Sequence, residues 1–172
     1  FWPNVDVEQT RAYSLGLGQI YINLKGRESL GTVSGGPEYR SVKREIIAGL
    51  SGLIDPKTGE TAVRTVYDRD DIYFGPAFAD APDLQVAMAS KYRVSWQSTL
   101  GGISKDVFVD NNRTWSGDHC SLDVEITPGI LLCNRRIATR RPTILDLAPT
   151  ALAILGIAPP ANMDGKVLSL SS

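Results

Sequence analysis

Gln19-Ile20-Tyr21-Ile22-Asn23-Leu24 alternates apolar and polar side chains, the pattern of a strand with one buried face. Just upstream, Arg11-Ala12-Tyr13-Ser14 gives a second short strand, and Gly16-Leu17-Gly18 marks the bend between them. These glycines do not make a dinucleotide fingerprint, because Tyr21 stands where its third glycine belongs and a strand follows instead of a helix. Downstream, Lys25-Gly26-Arg27-Glu28 reads as a polar turn and Ser34-Gly35-Gly36 as a loop. Pro37 then suits the first position of a helix. Tyr39, Val42, Ile46, Leu50 and Leu53 recur on one face of that helix, with Arg40, Lys43, Arg44 and Glu45 on an opposite, solvated face. Asp55-Pro56-Lys57-Thr58-Gly59 is turn chemistry.

Further strands are expected at 62–67 and 83–89, with Asp68-Arg69-Asp70-Asp71 after the first as a solvated turn, a cation held by those acids being the alternative. The apolar run at 130–133, which follows Pro128-Gly129, reads as a buried strand. Asp146 is placed to cap a last helix with Pro149 in its first turn. Gly156 stops that helix and Pro159-Pro160 prevent its resumption. The fold class is therefore α/β: a mixed sheet from segments near 12–24, 62–67, 83–89 and 130–137, with helices near 37–54 and 146–156 packed on it.

At 172 residues the chain is the size of one domain and long enough to build a core. A net charge of -1 gives no sign of a nucleic-acid-binding surface. No apolar run reaches the ~20 residues that span a bilayer, so no membrane segment is expected. Phe1-Trp2-Pro3-Asn4 lacks the basic and apolar regions of a signal peptide, and the chain reads as a single domain or a fragment of something longer. Asn112-Arg113-Thr114 is a formal glycosylation acceptor and does not fix a compartment.

Chemistry concentrates in Trp115-Ser116-Gly117-Asp118-His119-Cys120-Ser121-Leu122-Asp123. This stretch holds the one histidine of the chain, flanked by carboxylates. Such a histidine suits a metal ligand or a proton carrier, although taken alone it is more often a hydrogen-bonded structural side chain. Cys120 and Cys133 are too few for a disulfide framework and are not spaced as a zinc-binding pair. Two free thiols are the expectation, with a bridge between them as the alternative. Arg135, Arg136, Arg140 and Arg141 read as solvated or structural, or as contacts to an anion.

Ile144-Leu145-Asp146-Leu147-Ala148-Pro149-Thr150-Ala151-Leu152-Ala153-Ile154-Leu155-Gly156-Ile157, followed by Pro159 and Met163-Asp164-Gly165, resembles the C-terminal segment of the alkaline phosphatase superfamily. Within it, the chain resembles the type I phosphodiesterase/nucleotide pyrophosphatase branch. Ser116-Gly117-Asp118-His119 followed by Asp123 is similar to the segment holding that branch's last zinc-ligand histidine, except that Cys120 stands where glycine usually follows. Thr10-Arg11-Ala12-Tyr13, the run from Gly16 to Asn23, and Gly26-Arg27-Glu28 also resemble this branch, so the resemblance spans nearly the whole chain.

The resemblance implies a core like the C-terminal part of an alkaline-phosphatase-like domain, and hydrolysis of phosphoesters with two zinc ions. A Thr or Ser nucleophile attacks phosphorus in that family, while the ions stabilise the attacking and leaving oxygens. His119 is then the metal ligand of this chain, with Asp118 and Asp123 as candidates to orient it and Asp123 preferred. No segment here resembles the nucleophile or the other ligands, so this chain is expected to hold no catalytic residue. Its partners are an N-terminal remainder of the catalytic domain and, in that parent, a phosphoester substrate. Alone it should not turn over substrate, since one imidazole with a carboxylate does not close a zinc site. The competing reading is a binding or interaction domain of the same architecture without catalysis.

Overall fold

The computed structural model describes residues 5–95, 97, 100, 102, 104–114, 117, 121 and 123–171. They fall into two compact units, residues 1–128 and 129–172. Both are built from helices and antiparallel strands.

In the first unit, strands β1 (Ala12–Ser14), β2 (Gln19–Ile22), β3 (Val63–Asp68) and β4 (Leu84–Met88) form one sheet in the order β1-β2-β4-β3. Every neighbouring pair is antiparallel, whereas a mixed sheet was expected. The alternation in β2 has the expected outcome, with Ile22 fully buried. The turn Gly16-Leu17-Gly18 joins β1 to β2 with positive φ at all of its residues. Helix α1 (Pro37–Leu50) begins with Pro37 at its first turn and ends where Gly52 takes a left-handed conformation. Leu53 and Ile54 therefore lie beyond it, although the periodicity carried the helix to residue 54.

The core has two parts. Ala62, Val63, Val66, Leu84, Val86 and Met88 are buried against Ile46, Ile47 and Leu50 of α1 and against Tyr92, Val94 and Phe108. Ile22, Val33 and Val42 form the other part, with Tyr39 and Ile46 beside them. Burying a side chain of this size stabilises the fold by about 1.5–3 kcal/mol.

Lys43 departs from the helical pattern. It was expected on the solvated face, yet it is 4 % exposed. Its Nζ donates to Asp68 at 2.5 Å and to Asp70 at 3.2 Å, and sits 4.8 Å from the centre of the Tyr39 ring. The cation held by the Asp68-Arg69-Asp70-Asp71 turn is thus a lysine from α1. A buried ammonium needs such partners, since stripping it of water without them is prohibitive. Arg69–Ile72 itself forms a single helical turn, α2, capped by the Asp68 side chain.

In the second unit, β5 (Arg136–Ile137) pairs antiparallel with β6 (Leu170–Ser171). The expected strand at 130–133 is absent: those residues have no regular structure, with Ile130 and Leu132 89 % and 88 % exposed. The 136–137 pairing goes to β6, and no segment among the described residues pairs with 130–133, so its apolar content alone does not make it a strand.

A 3-10 turn (Ile144–Asp146) leads into helix α2's successor, α3 (Leu147–Ile154). Asp146 does not cap α3 with its side chain, as expected of it. It closes a capping box on Thr143, accepting from the Thr143 N–H at 2.8 Å and hydroxyl at 3.0 Å. Its other oxygen accepts from the Lys166 N–H at 2.8 Å. At the far end, Gly156 N–H donates to Ala153 and Ile157 N–H to Leu152, a Schellman ending with Gly156 left-handed. Gly165 lies against the Leu145 carbonyl so closely that a Cβ there would collide with it. Leu168 N–H donates to Thr150 Oγ1 at 2.8 Å, completing the clasp of 163–168 on the start of α3.

Candidate functional site

Two polar centres are built into the first unit. One is structural in its geometry. Asp83 precedes β4 and is completely buried. Its carboxylate accepts from Arg27 Nη1 at 3.0 Å and Nη2 at 2.6 Å, from the Tyr39 hydroxyl at 2.6 Å, and from the Ile22 N–H at 2.6 Å. Arg69 Nη1 adds an ion pair at 3.3 Å. Burial pushes the Asp83 carboxyl up, but the hydrogen bonds from Arg27, Tyr39 and Ile22 outweigh it and hold the group below the usual carboxylate range.

Arg27 also donates through Nε to Glu28 at 2.8 Å, and Glu28 accepts from Leu24 N–H at 2.8 Å and from the Tyr13 hydroxyl at 3.2 Å. Burial, reinforced by the charge of Glu28, raises the Tyr13 phenol to about 12. Asn23, 2 % exposed, donates its amide to the carbonyls of Val7, Thr10 and Leu30. Gly26-Arg27-Glu28, read locally as a polar turn, therefore ties β1, β2, α1 and β4 together around the buried Asp83. Every oxygen of Asp83 has a donor from the protein itself, which leaves it no open position for a ligand.

The second centre lies at the other end of β4. Met88 N–H donates to the Ser121 carbonyl at 2.7 Å, and Asp123 N–H donates back to the Met88 carbonyl at 3.1 Å. The Ser121 hydroxyl accepts from Val94 N–H at 3.2 Å, and Arg93 Nη1 donates to the Gly117 carbonyl at 3.0 Å. Asp123 is fully buried. One of its oxygens accepts from the Tyr67 hydroxyl at 3.0 Å and from Glu125 N–H at 2.9 Å, and the other accepts from Arg64 Nη1. Burial again pushes this carboxyl up, and the Glu125 N–H, Arg64 and Tyr67 outweigh it to hold the group ionised below the usual range.

Arg64 and Tyr67 reach the same carboxylate only because β3 is irregular. Residues three apart on a regular strand point to opposite faces. Val63 pairs with Met88 and Thr65 with Ala87, so Arg64 is an extra residue in a β-bulge, which changes the direction of its side chain. The sequence marks this bulge only by the doubled polar pair Arg64-Thr65 between Val63 and Val66, where strict alternation would place one residue.

His119 and Asp118, the expected metal ligand and one of its candidate partners, lie outside the described residues, as does Cys120. Cys133 carries a free, exposed thiol. Arg135, Arg136, Arg140 and Arg141 are exposed. Among the described residues, no group of three or more His, Cys, Asp or Glu side chains is placed to hold a metal ion. Asp123, the described member of the expected set, has both oxygens engaged by protein donors. What the arrangement does chemically is to fix a backbone: it sets the chain beside residues 118–120 against the end of a buried strand. Among the described residues no helix is long and apolar enough to cross a membrane. Comparison with protein-family models, with curated proteins and with solved structures finds no match for this chain.

Proposed function

We propose that this chain is the C-terminal part of a metal-dependent phosphodiesterase or phosphatase, resembling the type I phosphodiesterase/nucleotide pyrophosphatase branch of the alkaline phosphatase superfamily. In this reading its fold is the C-terminal part of an alkaline-phosphatase-like core, and it contributes His119 to one of two zinc ions. The nucleophile and the other ligands come from an N-terminal remainder, and the isolated chain is not catalytically competent.

The observation that carries this reading is the agreement in sequence over Ser116-Gly117-Asp118-His119 with Asp123, joined to that over 144–165. The structure supports it by giving those residue types physical work. A histidine meant to bind a metal must be presented from a fixed backbone. Asp123, four residues on from His119, is a buried anchor with donors from β3. In the second unit, Asp146 and Gly165 of the other resembling segment clasp one another's chain through Lys166 N–H and the Leu145 carbonyl.

A second reading, a non-catalytic interaction domain, draws on the exposed apolar side chains of the second unit. Ile144, Ile154 and Leu155 are 82 %, 60 % and 72 % exposed, and apolar surface of this kind is a usual mark of an interface. The reading frame upstream of Phe1 decides between the two. A Thr or Ser nucleophile segment with further Asp and His ligands there supports the hydrolase. A continuous upstream domain without them overturns it in favour of the interaction module.

A further inference from the structure

We propose that the first unit carries a binding site for a small primary amine with an apolar body, in a cavity of about 270 Å³ beside the edge strand β1. Asn23 Oδ1 and the Glu28 carboxylate receive the ammonium, and the apolar body lies against Val7, Leu15 and Leu30.

The site follows from how the chain leaves β2. That strand ends at Ile22, and Asn23 is the next residue. Its amide nitrogen donates to the carbonyls of Val7, Thr10 and Leu30, which clips two turns to the end of the sheet. Those three acceptors fix which end of the amide is nitrogen and which is oxygen. The oxygen is left over. Among the described residues no donor reaches Asn23 Oδ1. The residue is 2 % exposed, yet this oxygen is not a sealed atom, so it opens on the cavity that Asn23 lines. A buried acceptor without a donor is uncommon and points to a group that the chain itself does not supply.

The rest of that end is made of acceptors too. One Glu28 oxygen holds the Tyr13 hydroxyl and Arg27 Nε, whereas the other holds only the Leu24 N–H and keeps a lone pair open. Because Leu24 follows Asn23, this bond brings the half-engaged oxygen to the same stretch of chain. The donors of the lining are already used: the Tyr13 hydroxyl on Glu28, the Thr10 hydroxyl on the Asp6 carbonyl, and the Asn23 amide on its three carbonyls. A ligand head must therefore donate. A primary ammonium carries three donors and no acceptor, while a carboxylate would meet acceptors alone. The charge agrees with this choice. Segment 5–10 bears Asp6 and Glu8 and no basic residue, and Arg27 is already shared between Asp83 and Glu28.

The remaining wall is apolar. It comprises Val5, Val7, Leu15, Leu30 and the ring of Tyr13, which stacks on Tyr21 with centroids 5.5 Å apart. Val7, Leu15 and Leu30 are exposed, so a ligand that covers them is favoured by removing apolar surface from water. The volume lies just below the roughly 300 Å³ at which small-molecule sites begin, which suits a body of one ring.

The probe is 2-phenylethylamine, titrated into the full chain near neutral pH and followed by proton–nitrogen correlation spectra. Saturable shifts are expected at the Asn23 side-chain amide and at the Ser29 and Leu30 backbone amides, with a Kd of about 1 mM or tighter. Methylammonium, a head without a body, and 3-phenylpropanoate, a similar body with the opposite charge, should each bind at least about tenfold more weakly. Glu28→Gln removes the charge and should weaken the amine about tenfold. Leu30→Trp fills the mouth from an exposed position and should abolish the shifts; if Glu28→Gln does not fold, this variant decides.

No saturable shift at the cavity up to about 10 mM would overturn the proposal. So would equal binding of 3-phenylpropanoate, or unchanged affinity in Leu30→Trp. Binding seen only after removal of residues 1–4 would overturn it as well, since the chain itself would then be the occupant. None of these outcomes depends on phosphoester hydrolysis, so the proposal and the proposed function fail separately.

Discussion

Replacing Asp83 with asparagine should be among the most damaging single changes in the first unit. The side chain is fully buried and keeps its size in the variant, so no cavity forms. What changes is charge. Arg27, with 24 % of its side chain exposed, and Arg69, with 13 %, lose their shared counter-ion. The asparagine amide also turns an N–H₂ toward groups that are themselves donors. Removing one partner of a buried ion pair costs about 3–5 kcal/mol, and Arg27 retains Glu28 at 2.8 Å, which places this case near the lower end, at about 3 kcal/mol. Domains of this size are stable by about 5–15 kcal/mol, so the loss is a large fraction of the total. With a urea m-value of about 1–3 kcal/mol/M, the unfolding midpoint should fall by roughly 1–3 M. Tyr39→Phe, which removes only one of the donors to Asp83, should cost about 1 kcal/mol in the same assay. An Asp83→Asn midpoint within experimental error of wild type would refute the argument that this carboxylate holds β2, α1 and β4 together.

The protonation behaviour of the same network gives a second test. Asp83 and Asp123 both sit below the usual carboxylate range when folded, so the unfolded chain takes up their protons first. Their contribution is present above about pH 3.9 and is lost as the pH falls through their folded values, so the urea midpoint should drop steeply below that pH. At the alkaline end Tyr13 is raised to about 12, so its contribution is complete below the ordinary tyrosine value near 10 and is lost as the pH rises toward 12; Tyr13→Phe should flatten that limb. In the second unit, Gly165→Ala would drive a methyl group into the Leu145 carbonyl, and should lower the stability of that unit by about 1–3 kcal/mol in thermal unfolding. The isolated chain with added zinc should hydrolyse an aryl phosphodiester at the background rate, and turnover abolished by His119→Ala would show a self-contained site.

How far the fold could be read from residue order depends on the range of the interaction. The strands at β2, β3 and β4 and the helix α1 follow from local alternation and periodicity, and the structure has them within a few residues of the expected bounds. The Schellman ending at Gly156 is equally local. Lys43 was misplaced because its partners, Asp68 and Asp70, belong to another element, and a helical wheel records only the charge. The run at 130–133 was misplaced because an apolar segment becomes a strand only where another strand offers it a ladder. Asp83 and Gly26-Arg27-Glu28 are not legible as a centre in residue order for the same reason as Lys43. Their significance lies in contacts across more than 50 positions of the chain, the Arg27–Asp83 bond joining residues 56 apart. Of the candidate site, Asp123 was picked out from its place in a motif, while Arg64 and Tyr67 were not. The bulge shows in residue order only as the doubled polar pair Arg64-Thr65 between Val63 and Val66, and the register of β3 on β4 is what identifies it.

The measurement that bears most directly on the proposed function is phosphodiester turnover by the chain joined to its upstream remainder, with zinc supplied, compared between wild type and His119→Ala. The account predicts zinc-dependent hydrolysis in the longer protein and a loss of at least tenfold on replacing His119, since removing a direct ligand should cost no less than the roughly 10–100-fold typical of a group that only orients one. Turnover unchanged by His119→Ala, or the same with and without zinc, would contradict it.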